Sequence, residues 1–251
     1  MAGHSKWKNI KHKKAASDAA KGRIFSRIAK EMTICARSGG GDPSSNITLR
    51  TIIAKARAAN MPADNMDRAI KRGTGEIAAA ALEEIVYEGF APGGAAVIVQ
   101  ALTDNRNRTS GEVRHIFTKF GGNIGLQNSV MRSFKRRGQL LIHAGGVTED
   151  RLLEAALEAG ADDVTREGDF YEVITEPARF HAVLEALTKA GIKAEESEIT
   201  MIPDLYVPIT DKDLAAKLIE FVETLEENDD VQNVYSNFDI SKALLEAVSK
   251  S

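Results

Sequence analysis

Apolar positions recur every three or four residues from about residue 15 to 38. Ile24, Phe25, Ile28, Met32 and Cys35 form one stripe, which predicts an amphipathic helix. At 100° per residue, Arg23, Arg27, Lys30 and Arg37 fall within about 80° of one another on the opposite side, a basic stripe expected to face water. The glycine-rich stretch 38–43 ends this pattern. A second helix follows, capped by Asn46 or Thr48, with Leu49, Ile52, Ile53 and Ala56 inward and Arg50, Lys55 and Arg57 outward. A third opens with Pro62 at its first position and buries Met66, Ala69 and Ile70. It ends at Gly73, leaving Arg68, Lys71 and Arg72 outside. Helices this short are held by mutual packing more than by propensity, so the three predict one small helical domain.

Past residue 75 the period changes. Segments 84–89 and 95–102 read as strands joined through Pro92, Gly93 and Gly94. Thr109 and Glu112 have the spacing of a capping box, opening a helix with Val113, Ile116, Phe117 and Phe120 inward that stops at Gly121. Segment 130–134 reads as a strand and 135–138 as a basic turn. A unit of order βαββαβ follows. It comprises a strand at 139–143, a helix at 148–159 with Leu152, Leu153, Ala156 and Leu157 inward, a hairpin at 162–175, a helix at 177–190 and a strand at 193–201. That order is ferredoxin-like. The remainder, strand 206–209, helix 211–227 and strand 231–235, is half a domain, and the ββα before residue 134 is its other half.

The expected architecture is therefore α+β and multidomain: an N-terminal three-helix domain and two α/β, ferredoxin-like domains, one inserted in the other. The boundaries are 1–75 for the helical domain, 76–136 plus 203–251 for the discontinuous one, and 137–202 for the insert. If the nesting is right, strand 97–101 shares a sheet with strand 206–209.

Charge sharpens this division. The chain carries a formal charge of only −3, from 33 basic and 36 acidic residues, which taken alone argues against a nucleic-acid binder. The total is a cancellation: residues 1–75 sum to +11, residues 76–145 to +2, and residues 146–251 to −16. Such asymmetry points to an anionic partner at the basic end. The acidic half is expected to turn away from the phosphates.

Most catalytic classes are excluded. Cys35 is the only cysteine and lies on an apolar stripe, so it forms no intrachain disulfide and joins no thiolate metal cluster. His4, His12, His115, His143 and His181 are scattered without metal-motif spacing, and the glycine-rich stretch lacks the lysine of a phosphate-binding loop. No stretch approaches the roughly 18 apolar residues of a membrane span, and the basic N-terminus has no apolar signal core. The reading is of a non-enzymatic protein with no cofactor, no metal, no small-molecule substrate and no membrane association, in the cytoplasm.

The first fourteen residues lack any period and are read as a mobile basic arm. Lys6, Lys8, Lys11, Lys13 and Lys14 surround Trp7, the only tryptophan. An aromatic among lysines can stack on an unpaired base while the ammonium groups meet phosphates; equally, Trp7 can fold back and staple the arm to the helical domain. The segment 104–108 adds Arg106 and Arg108, whose guanidinium groups suit phosphate. The candidate nucleic-acid contacts are thus Lys6, Trp7, Lys8, Lys11, Lys13, Lys14, Arg23, Arg27, Lys30, Arg50, Arg68, Lys71, Arg72, Arg106 and Arg108.

Four stretches, AGHSKWKNIKHKKAASDAAKGRIFSRIAKE at 2–31, ANMPADNMDRAIKRGTGE at 59–76, YEGFAPGGAAVIVQALTDNRNRTSGEVRHIF at 87–117 and DDVQNVYSNFDI at 229–240, resemble the YebC family over nearly the whole chain. That family includes the mitochondrial translational activator of cytochrome c oxidase subunit one. The resemblance implies three domains, one inserted in another, and a bacterial cytoplasmic protein. It implies regulation of transcription by DNA binding, or ribosome-associated, RNA-binding regulation of translation that relieves stalling, with no enzymatic activity. The chain departs from the family's NPRLR at Asn46-Ile47-Thr48-Leu49-Arg50, losing a proline and an arginine, and from its GSV at Asn128-Ser129-Val130. On physical grounds ribosomal RNA is favoured over DNA, because the basic faces carry few base-reading amides. A protein-interaction module, its acidic domains docking a basic partner without touching nucleic acid, is the alternative.

Overall fold

The computed structural model describes residues 18–249. The arm residues Lys6, Trp7, Lys8, Lys11, Lys13 and Lys14 lie outside the described residues.

Helices α1 (Asp18–Gly39), α2 (Ile47–Ala58) and α3 (Ala63–Thr74) bury the stripes that the spacing marks out: Ile28, Met32, Cys35, Leu49, Ala56 and Ala69 share one core. Both short helices pack on α1. Asn46, not Thr48, is the cap of α2. Its side chain accepts from Leu49 N at 3.0 Å and donates to the carbonyls of Cys35 and Gly40, tying the end of α1 to the start of α2. Pro62 precedes α3 rather than opening it. Gly73 does not end α3 either. It sits inside the last turn, where a Cβ would fall 2.4 Å from the Thr33 carbonyl oxygen, so glycine is required for the close approach of α1. The helix ends at Gly75, with φ of 84°.

Strands β1 (Glu83–Phe90) and β2 (Ala96–Thr103) form an antiparallel hairpin, with helix α4 (Arg106–Lys119) and the short β3 (Asn123–Ile124) after it. Far along the chain come β8 (Val207–Ile209), α7 (Lys212–Glu227), β9 (Val231–Ser236), β10 (Phe238–Ile240) and α8 (Lys242–Ser249). The sheet order is β3-β1-β2-β9, so a strand from beyond residue 230 completes the sheet begun at residue 83. Its core joins Val97, Val99, Phe117, Phe221 and Val234, with the rings of Phe117 and Phe221 edge to face at 5.0 Å.

The particular partner expected of this sheet was wrong. Strand β8 does not join β2; it pairs in parallel with β10 in a separate two-stranded sheet. Pro208 at its centre has no N–H to donate, which suits a short edge and not a central ladder. Neither β10 nor α8 was foreseen.

Between the two halves lie β4 (Phe134–His143), α5 (Glu149–Glu158), β5 (Asp163–Glu167), β6 (Phe170–Thr175), α6 (Phe180–Lys189) and β7 (Glu196–Pro203). Their order, β5-β6-β4-β7, is antiparallel throughout and is that of a ferredoxin-like fold. Leu140, Ile142, Leu152, Val173, Val183 and Leu187 fill its core, while Leu157, expected inward, is 50% exposed.

Two local readings are corrected by one buried residue. Glu88, 5% exposed, accepts from the backbone N–H of Asn128, Val130 and Met131 at 2.6–2.9 Å. The chain wraps this carboxylate, so 131–133 is a 3₁₀ turn and not part of a strand. Strand β4 then starts at Phe134 and includes Lys135, Arg136 and Arg137, which are therefore not a turn. Burial pushes the Glu88 carboxyl up, but the three N–H groups outweigh it and hold its pKa below the ordinary value.

Candidate nucleic-acid interface

The basic stripe of α1 is not a wet face. It meets the end of α7 and the connection into β9, a run of acidic residues about 200 positions away in the chain. Lys30 Nζ lies 2.7 Å from Asp230 Oδ1 and donates also to the carbonyls of Asp229, at 2.8 Å, and Leu102. Arg23 lies 3.6 Å from Glu227. Arg27 is half-buried; burial lowers its pKa, with Glu226 the strongest opposing charge. Its Nε has no hydrogen-bond partner among the described residues. Arg37 donates to the Leu82 carbonyl at 3.0 Å.

Asp230 is the centre of this seam and is 4% exposed. Its other oxygen accepts from Arg108 and from the Thr109 hydroxyl, both at 2.7 Å, and from Thr103 at 3.1 Å. Burial alone would raise its pKa. Lys30, Arg108 and Thr109 together overcome that and hold the carboxyl well below the usual range, while Arg108 is pushed further up by Asp230 and Asp104. The capping-box reading fails here for a visible reason. Asn105 caps α4, accepting from Arg108 N at 3.1 Å, so Thr109 and Glu112 are interior helix residues; Thr109 serves Asp230 instead. Arg106 and Arg108 accordingly lie in the first turn of a helix, not in a loop, and Arg106 is 2.6 Å from Glu83.

Thus Lys30 and Arg108 do converge, but on a carboxylate. The adjoining groove, about 550 Å³, is lined by Arg108, Glu112, Glu227, Asn228, Asp229 and Asp230. Four carboxylates to one cation make it unsuited to a phosphate backbone. In β4, Lys135 is 2.7 Å from Asp204, and Arg137 pairs with Asp162 and Glu176.

Within the helical unit, α2 and α3 also carry exposed cations. Arg50 and Arg57, seven residues apart, share one side of α2; Arg68, Lys71 and Arg72 share the side of α3 away from Met66, Ala69 and Gly73. Arg68 bonds locally to Asn65 and to the Asp64 carbonyl. Lys55 pairs with Glu31 at 3.0 Å. Arg50, Lys71 and Arg72 form no ion pair among the described residues. Among those residues there is also no cluster of three His, Cys, Asp or Glu able to hold a metal, and no helix long and apolar enough to cross a membrane.

The residue missed altogether was Asp230. Its one sequence signal is an acidic run, Glu226 to Asp230, at the end of a helix whose dipole disfavours it; across the seam that anomaly has its counterpart in α1.

Comparison with known proteins matches two family models: "TACO1/YebC protein N-terminal domain" over residues 5–76 and "TACO1/YebC second and third domain" over residues 82–238. A protein of Persephonella marina is 53% identical over 99% of this chain and 100% of its own length, and one of Magnetococcus marinus is 52% identical over the same shares. Both are named probable transcriptional regulatory proteins, for regulation and not for catalysis. The crystal structure of a conserved hypothetical protein from Aquifex aeolicus is 47% identical and superimposes with a TM-score of 0.81, covering 93% of this chain and 96% of that one.

Proposed function

This chain belongs to the TACO1/YebC family, and from that premise we propose that it is a cytoplasmic, nucleic-acid-binding regulator of gene expression whose contact surface is the outer faces of α2 and α3 together with the basic arm. One observation carries the reading: Arg50, Lys71 and Arg72 are exposed on two helices of the basic unit and without ion pairs among the described residues, whereas Arg23, Lys30, Arg106 and Arg108 are paired with carboxylates. Cations held in solvent without partners release counterions from a phosphate backbone at little internal cost. The domain assignment is part of the proposal: 1–75 for this basic unit, 76–136 with 203–251 for the discontinuous domain and 137–202 for its insert.

RNA at the ribosome is the favoured target. The outer face of α2 carries no Asn or Gln to read a base edge, which suits phosphate contact better than sequence-specific duplex binding. The relatives are named for transcriptional regulation, a role that duplex DNA binding would serve, and the same titration separates the two. Fluorescence anisotropy of full-length protein on single-stranded RNA and on duplex DNA, from about 50 to 200 mM KCl, should give a log–log salt slope of about −3 to −5. The variant Arg50→Gln/Lys71→Gln/Arg72→Gln should flatten it by about 2 on RNA. Ribosome co-sedimentation lost in the same variant supports the RNA target. A zero slope, or an unaffected variant, rejects this surface and leaves docking of a basic protein on the acidic domains.

A further inference from the structure

The seam between α1 and the acidic end of α7 is unequal along its length. At the Lys30 end the fit is close: Asp230 is buried, and its oxygens take Lys30, Arg108, Thr109 and Thr103. Two turns earlier on α1 the fit is loose. Arg23 and Glu227 stand 3.6 Å apart with side chains 33% and 64% exposed, a separation and exposure at which an ion pair contributes little. Arg27 is half-buried, yet its Nε has no hydrogen-bond partner among the described residues and burial penalises its charge.

The acidic side is also poorly suited to its own helix. Glu223, Glu226 and Glu227 lie near the C-terminus of α7, where the carbonyl end of the dipole repels anions, and its last turn has no basic residue. The arginines across the seam from it, Arg23 and Arg27, belong to the basic helical unit whose neighbouring faces we read as the nucleic-acid surface. Guanidinium groups one helical turn apart, at i and i+4, can grip successive phosphate oxygens bidentately, and phosphates would serve Arg27 better than the present arrangement does.

We propose that Arg23 and Arg27 form a phosphodiester-binding site, which the acidic end of α7 through Glu226 and Glu227 covers as an internal phosphate mimic until a nucleic-acid strand displaces it. Lys30 and Asp230 act as the fixed pin about which the loose end opens. The inference rests on the proposed function and adds a masked site and its competitor. The net gain on binding is the exchange of two carboxylates for two phosphates, so the cover sets a threshold that weak or short anions do not pass.

The test uses full-length protein and a fluorescein-labelled single-stranded RNA of about 20 nucleotides, titrated by anisotropy across the same salt range. Glu226→Gln/Glu227→Gln should bind about 5- to 10-fold tighter at the low-salt end, with a slope steeper by about 1. Adding Arg23→Gln/Arg27→Gln to that variant should abolish the gain. Glu154→Gln/Glu158→Gln, which removes the same charge from exposed positions on α5 that take no part in the seam, should change affinity less than about 2-fold. Circular dichroism melting confirms that each form is folded. Unchanged affinity for Glu226→Gln/Glu227→Gln, or an equal gain in the α5 control, overturns the cover. If the α2–α3 triple variant still loses affinity in that case, the proposed function stands and only the cover falls. Absence of salt-dependent binding in every form overturns both.

Discussion

Lys30 and Arg72 are both cations on helices of the same small bundle, yet they have opposite surroundings. Lys30 is 20% exposed in its side chain, lies 2.7 Å from a buried carboxylate and ties the bundle to a sheet and a helix from distant parts of the chain. Arg72 stands in solvent with no ion pair among the described residues. Residue type and local periodicity are the same in kind, and the difference is what the rest of the chain brings opposite. A cation opposite a buried acid contributes to stability and little to binding; one opposite water does the reverse.

The strongest test of that contrast is Asp230→Ala. It removes charge-assisted bonds to Lys30 and Arg108 and two hydroxyl bonds at a buried position, so a loss of about 3–4 kcal/mol is expected by urea unfolding. A loss under about 1 kcal/mol would reduce the seam to a surface contact. The same carboxyl predicts an acid limb. Its folded pKa lies below the unfolded value of about 4, so its contribution is fully present above that pH and is lost as pH falls towards the folded value. The melting temperature of the native chain should therefore drop more steeply below about pH 4 than that of Asp230→Asn.

Glu88→Gln comes next, at about 2–3 kcal/mol. It places an amide N–H₂ among three backbone donors, and because no cation is involved the loss should be nearly independent of salt. A marked salt dependence would mean that the turn at 131–133 depends on a distant charge. The opposite pole is Arg50→Gln/Lys71→Gln/Arg72→Gln, expected to change stability by less than about 0.5 kcal/mol while weakening RNA binding about 10-fold or more. Large destabilisation there would erase the distinction between the two kinds of cation. Lys55→Ala, which breaks an exposed pair with Glu31, should cost under about 1 kcal/mol, and less at high salt.

Much of the architecture could be read along the chain. The stripes on α1, α2 and α3, the ferredoxin-like order of the insert and the stop at Gly121 all follow from periods and breakers within a few residues. The errors share a cause. Thr109 with Glu112 has the spacing of a cap, yet Asn105 takes that role because Thr109 is drawn to Asp230, 121 residues away. Segment 130–134 has the composition of a strand, yet Glu88, about 40 residues earlier, captures its N–H groups. In both places a long-range hydrogen bond to a buried carboxylate overrides a local preference of about 1 kcal/mol. The apolar pattern marks β8 but not its neighbour β10, since a three-residue stretch does not encode its pairing partner.

Sequence alone determined the α+β class, the helical unit at the start and the segregation of charge, because each is written in local period or in composition, and its long motifs carried the resemblance to the family. Only the tertiary structure decided where those charges go. The acidic half does not turn away from the basic helix; Glu226 to Asp230 lie against Arg23, Arg27 and Lys30. Formal charge counts ions wherever they sit, whereas binding depends on which of them still face water after folding. That is set by contacts across some 200 residues, which no local pattern records.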